Sequence, residues 1–296
     1  MSVKIVFLLA MAAQAAPIED AYRAAKAAIE SGDAARAVEL LAPFDRAADA
    51  DAAQLAVARI ALGRAYLRLG KAIEARDALA RIGPLPDESP HVVAVSALLG
   101  DAHRLLGASE DAGRAYALVA KLAGNAVLGR YAAARVSELQ AEAAEEKKEF
   151  AKAAGLYLAA GDALLGLGVE DNAYYADARA LFEKVAKGSD KASPGKDWRG
   201  EPTARAVFSI GEVERMQQHY PEAIAYYQRT FVSWLKYPAW PARAYLRAAE
   251  CMDKLGKREF AIRHLREMMR KPDKFGKLPE FQEAKKQLRA WGQEVR

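Results

Sequence analysis

Ile60-Ala61-Leu62-Gly63-Arg64-Ala65-Tyr66-Leu67-Arg68-Leu69-Gly70 decides the fold of this chain. Its apolar residues return at helical spacing, and Gly70 stands where the helix ends, because glycine takes the left-handed conformation there without a Cβ clash. Gly63 leaves a gap in one helix face. Ala75, twelve residues on, does the same for a second helix that starts directly after the turn, so the two can cross closely. The same spacing returns as Ala25, Gly32, Ala37, as Gly100, Gly107, Ala112, and as Ala249, Gly256, Ala261. Large apolar residues complete each pair: Leu62, Tyr66 and Leu79, then Leu99, Leu106 and Tyr116, then Tyr245, Leu255 and Leu265. A helix pair this small cannot bury its own apolar face, so stacked neighbours must cover it.

Leu62-Gly63-x-x-Tyr66 with Gly70 and Ala75, and Ile210-Gly211 with Ala223 and Tyr227, resemble tetratricopeptide repeats. The resemblance implies an all-α chain folded as an α-solenoid, a right-handed superhelix of stacked antiparallel hairpins whose usual work is binding. Ala37, Ala75 and Ala112 lie 38 and 37 residues apart, against the family's usual ~34, which longer turns between hairpins absorb. It also implies that the first helix of each hairpin lines a concave groove and that residues flanking the small crossing residue touch the ligand. Carried onto this sequence, those positions are Arg64 and Arg68, Asp101 and Arg104, Arg205, Glu212 and Arg215, and Arg243, Glu250 and Lys254. An arginine-rich groove favours a protein or peptide partner that brings carboxylates, C-termini included.

The 296 residues are 52% apolar, enough for a sizeable core. No Val/Ile-rich alternating runs lie between turn signals, so no sheet is expected. Residues 1–15 read as a secretory signal peptide: a short basic start to Lys4, an apolar run Ile5 to Ala13, and small residues in Ala13-Gln14-Ala15. The apolar run is far shorter than the roughly twenty residues a membrane span needs, so no stable span is expected there. Periplasmic or secreted residence follows, in a bacterial cell envelope.

Residues 16–187 read as the N-terminal helical repeats, with Pro43 ending the second helix early. A long helix over 127–148 is followed by Phe150 to Tyr157, which resembles the second helix of a repeat through Ala153 and Tyr157, although its turn lacks glycine. A helix over 172–187 has no partner that the sequence identifies. Residues 188–202 read as a loop from their Gly, Pro and Ser content, with Trp198 inside it. Residues 203–296 read as further repeats closed by a capping helix from Pro279, where Leu278, Phe281, Leu288 and Trp291 make an apolar stripe.

No catalytic constellation stands out, and the chain reads as a non-enzyme without metal or cofactor. His91, His103, His219 and His264 are scattered, and none has a second His or Cys at metal-ligand spacing. Glu170-Asp171 sits in a turn, where carboxylates cap helices. Gly161 to Gly166 lacks the Lys-Ser/Thr ending of a phosphate loop. Cys251, the only cysteine, reads as a small buried hydrophobe. Charge is uneven, since residues 198–296 carry twenty Lys/Arg against twelve Asp/Glu, together with all four tryptophans. Basic residues beside aromatics can read nucleic acid or glycan, but core packing accounts for Tyr227, Phe231 and Tyr245, and no nucleic-acid partner is expected. Trp198, Trp234 and Trp240 are left outside the core, as anchors for a protein partner or, in an alternative reading, as stacking faces for an envelope glycan such as murein.

Overall fold

A computed structural model describes residues 18–45, 51–188 and 200–295. The signal-peptide segment 1–15 and Trp198 lie outside the described residues. Among those described the chain is all-α, with fifteen helices and no strand. They are α1 (18–30), α2 (Ala34–Leu41), α3 (Ala52–Arg68), α4 (Ala72–Ala80), α5 (Val92–Leu105), α6 (Ser109–Ala123), α7 (Val127–Glu146), α8 (Phe150–Leu167), α9 (Ala173–Lys187), α10 (Glu201–Met216), α11 (Tyr220–Ser233), α12 (Ala239–Lys254), α13 (Arg258–Met269), α14 (Pro272–Phe275) and α15 (Pro279–Ala290). Pro43 ends α2 in a 3-10 turn, Ala42–Phe44. Helix α10 begins at Glu201, inside the stretch that reads as loop, with Pro202 in its first turn.

Six tight turns join helices in pairs, and all six share one geometry. The backbone N–H of Asp33, Lys71, Ala108, Glu149, His219 and Lys257 donates to the carbonyl five residues earlier at 2.8–2.9 Å, the bond that closes a helix over a left-handed residue. Glycine supplies that residue at Gly32, Gly70, Gly107 and Gly256, with φ between 71° and 87°. In the α7–α8 and α10–α11 turns it is Lys148 (φ 62°) and Gln218 (φ 64°). The missing glycine therefore changes the cost of the turn and not its path. Counting back seven residues identifies Ala141 and Gly211 as the small crossing residues of those pairs.

The reason for the small residue is steric. A Cβ placed on Gly63 would lie 2.8 Å from Leu79 Cγ, one on Gly100 2.6 Å from Tyr116 Cε1, and one on Gly211 2.7 Å from Tyr227 Cε1. In each pair the large residue sixteen positions on covers the gap: Leu41, Leu79, Tyr116, Tyr157, Tyr227 and Leu265 are all buried. Burial of side chains this size contributes about 1.5–3 kcal/mol each, so these residues do most to hold the pairs closed.

The chain divides into two compact units within α7, between Val136 and Ser137. In the first, α2 packs on α3, α3 on α4 and α5, and α5 on α4 and α6. In the second, α9 packs against both α8 and α10, and its Lys184 Nζ bonds Glu142 of α7 at 2.9 Å. This places the helix that the sequence left without a partner. Its contact uses the same device, because a Cβ on Gly161 of α8 would lie 2.5 Å from Phe182 of α9. The longer turn before α9 stretches the interval between the two from sixteen to twenty-one residues and hides it from a fixed-spacing search.

Helix α8 is long and apolar enough to cross a bilayer, with mean hydropathy 1.3 over Phe150–Leu167. Ala153, Ala154, Tyr157, Leu158, Ala160, Leu164 and Leu167 are nevertheless buried, so the composition is that of a core helix in this structure. In the last third, α10 contacts α11 and α12, α12 contacts α13 and α15, and α13 contacts α15. Their shared core holds Tyr227, Phe231, Tyr245, Met268, Phe275, Phe281 and Leu288. Phe231 and Tyr245 stack at 4.0 Å. Phe275, from the short α14 that the sequence did not reveal, is fully buried edge-on to Tyr245. Cys251 is buried there too, and burial pushes its thiol up to about 11, which keeps it protonated and inert at neutral pH.

Candidate functional site

Helices α10, α12 and α15 enclose a cleft of about 600 Å³. Helical spacing places its lining on single faces: Phe208 and Glu212 on α10, Arg243, Leu246, Arg247 and Glu250 on α12, Pro279, Glu280 and Glu283 on α15. Phe208, Leu246 and Pro279 give it apolar surface. Four carboxylates and two guanidinium groups supply its charge.

Those charges are tied to one another. Arg215 makes two hydrogen bonds to Glu212, at 3.1 and 2.8 Å. Arg247 bonds Glu250 at 3.0 and 2.8 Å and approaches Glu212 at 3.5 Å. Arg243 donates to Glu280 at 2.9 Å while its guanidinium lies 4.8 Å over the Trp240 ring. The hydrogen bonds to Glu212 hold the Arg215 pKa above its ordinary value. Burial works against the Arg247 charge, and its bonds to Glu250 outweigh that cost and raise its pKa.

Glu212 has a further duty. The Tyr227 hydroxyl, pushed well above the ordinary phenol range by burial and then by the adjacent Glu212 charge, donates to it. A buried phenol without an acceptor costs about 1–3 kcal/mol, so Tyr227 needs the acid and the acid needs Arg215. The α5–α6 pair repeats the plan: Tyr116 donates to Asp101 at 2.6 Å, Tyr131 donates to the same carboxylate, and Arg104 lies close enough to oppose the rise in the Tyr116 pKa. Asp101, Arg104, Glu212 and Arg215, expected as partner contacts, thus have structural work in their own helix pairs.

The remaining expected positions separate. Arg205 pairs with Asp162, Arg68 donates to the Ile29 carbonyl, and Lys254 is exposed at the end of α12, outside the cleft lining. Arg64 lines a hollow of about 290 Å³ in the first unit beside Tyr22, Val57, Ile60 and His91. Trp234 is half-buried. Trp240, expected outside the core, packs on Phe208 at 5.7 Å, donates its indole N–H to Glu201 at 3.2 Å and lies between Arg205 and Arg243. In the lining of this cleft carboxylates outnumber guanidinium groups four to two.

Arg247, Glu280, Glu283, Phe208 and Leu246 escaped the sequence reading. Phe208 had a signal, three residues before Gly211 on the crossing face, whereas Glu280 and Glu283 read only as the polar back of a terminal helix. Among the described residues no group of three or more His, Cys, Asp or Glu side chains is placed to hold a metal ion. No protein-family model matches the chain, and no curated protein matches it in sequence.

Proposed function

We propose that this chain is a non-enzymatic protein-interaction scaffold of the bacterial cell envelope, an α-solenoid of tetratricopeptide type that holds a partner's peptide or helix. The observation that carries the reading is the α10–α12–α15 cleft, an open recess on the first helices of two successive pairs with α15 as its third wall. The six turns of one geometry support the repeat architecture. The signal-peptide pattern in residues 1–15 supports the envelope address. The glycan alternative is weaker, because the Trp240 ring already carries Arg243 and its N–H is bonded to Glu201.

A photo-crosslinking residue placed at Leu246 in cells tests the binding site, with the same residue at exposed Val169 as control. Discrete crosslinked species specific to position 246 are expected, and identical patterns at both positions would sink the reading. Mass spectrometry of the chain from its native host should find the first fifteen residues removed, and an intact cytoplasmic product would overturn the address.

A further inference from the structure

The cleft's charge names the class of segment it holds. Resting on the reading that this cleft is the binding site, we propose that it takes an extended segment bearing lysine or arginine next to apolar residues, rather than the acidic or C-terminal peptide that the arginines suggest in sequence. Three observations converge. First, both arginines of the lining are already engaged, Arg247 with Glu250 and Arg243 with Glu280. An incoming carboxylate would have to displace an internal one. Second, the lining carries four carboxylates against two guanidinium groups around the apolar patches of Phe208, Leu246 and Pro279, and with Arg215 balancing Glu212 from outside the lining, Glu283 is the carboxylate left in excess. Glu283 remains 55% exposed, with only Lys286 on the same helix 3.9 Å away. Third, the surroundings have the opposite sign, with twenty Lys/Arg against twelve Asp/Glu over residues 198–296 and a net charge of +5 on the chain. A cationic segment is therefore repelled by the surface at large and accepted at this recess, which gives selectivity as well as attraction.

The geometry suits an extended chain, in which alternate side chains point to opposite faces. One set meets the apolar patches while the other meets the glutamates. Each new charge-assisted hydrogen bond to a part-buried carboxylate contributes more than a neutral one.

The test uses the full chain and three labelled eight-residue peptides of equal length, alternating leucine with lysine, with glutamate or with serine. Fluorescence anisotropy at low salt should rank lysine first, about tenfold tighter than glutamate, with the preference shrinking as salt rises. Glu283→Gln and Glu280→Gln should each weaken the lysine peptide about threefold or more and leave the serine peptide unchanged. Glu283→Gln is at an exposed position and serves if Glu280→Gln, which frees Arg243, disturbs folding by circular dichroism. Tighter binding of the glutamate peptide, or lysine binding indifferent to both variants, would overturn the charge assignment. Leu246→Asp separates the two ideas: peptide binding that it does not change at all removes the cleft as the site, whereas glutamate-peptide binding that it abolishes keeps the site and rejects the cationic ligand.

Discussion

The pairs α3–α4 and α10–α11 close the same crossing with different side chains, and the difference decides what their surfaces can do. In α3–α4 the gap at Gly63 is filled by Leu79, which asks nothing of its neighbours, and Arg64 stays exposed. In α10–α11 the gap at Gly211 is filled by Tyr227, whose hydroxyl draws in Glu212 and, through it, Arg215 and Arg247. Equivalent positions beside the crossing glycine are free in one pair and committed in the other. A residue's availability to a partner thus depends on what stands fifteen positions further along, on the facing helix.

The strongest way to break this comparison is Gly→Ala at both crossings. Gly211→Ala should cost about 2–3 kcal/mol, because the Tyr227 ring that a Cβ would meet is rigid, fully buried and held by its bond to Glu212. Gly63→Ala should cost about 1 kcal/mol or less, since Leu79 can shift and alanine recovers helix propensity. Equal losses in urea denaturation would erase the distinction. Tyr227→Phe comes next. It should cost about 1–2 kcal/mol by leaving Glu212 without its phenol, and combined with Glu212→Ala the losses should fall short of additive by at least about 0.5 kcal/mol. Strict additivity would mean that the two side chains are not coupled.

The smallest effect concerns the turns. Gln218→Gly and Lys148→Gly should each stabilise the protein by about 0.5–1 kcal/mol, because a left-handed residue with a Cβ costs about 1–2 kcal/mol and glycine returns part of that gain as chain entropy. Gly70→Ala, in the pair where glycine already stands, should shift the melting temperature the opposite way. A loss of stability in Gln218→Gly would show that its side chain contributes more than its backbone strain costs.

The helix pairs were legible because their signals are local. Gly63, Gly70, Ala75 and Leu79 lie within one turn-and-crossing unit, and steric exclusion acts wherever such a unit folds. Helix α9 was illegible as a partner because its crossing glycine, Gly161, sits at a stretched interval on α8. Short α14 carried no periodicity that could announce it, and Phe275 enters the core only because α12 is there to receive it. The site was half legible: helix faces point to Arg243, Glu212 and Glu250, whereas Arg247, Glu280 and Glu283, which stand beside them in the cleft, carry no such signal.

The sequence by itself determined that this chain forms close-crossing helix pairs, since a missing Cβ, a left-handed turn residue and a large apolar neighbour act over fewer than twenty residues. Only the tertiary structure decided the electrostatic character of the cleft. Arg243 meets Glu280 across 37 residues and Arg205 meets Asp162 across 43. Charges that far apart in sequence are brought together by how successive pairs stack. Coulomb attraction falls with distance and is screened by water, so which carboxylates remain in excess is set by that stacking and by no run of residues within a single helix.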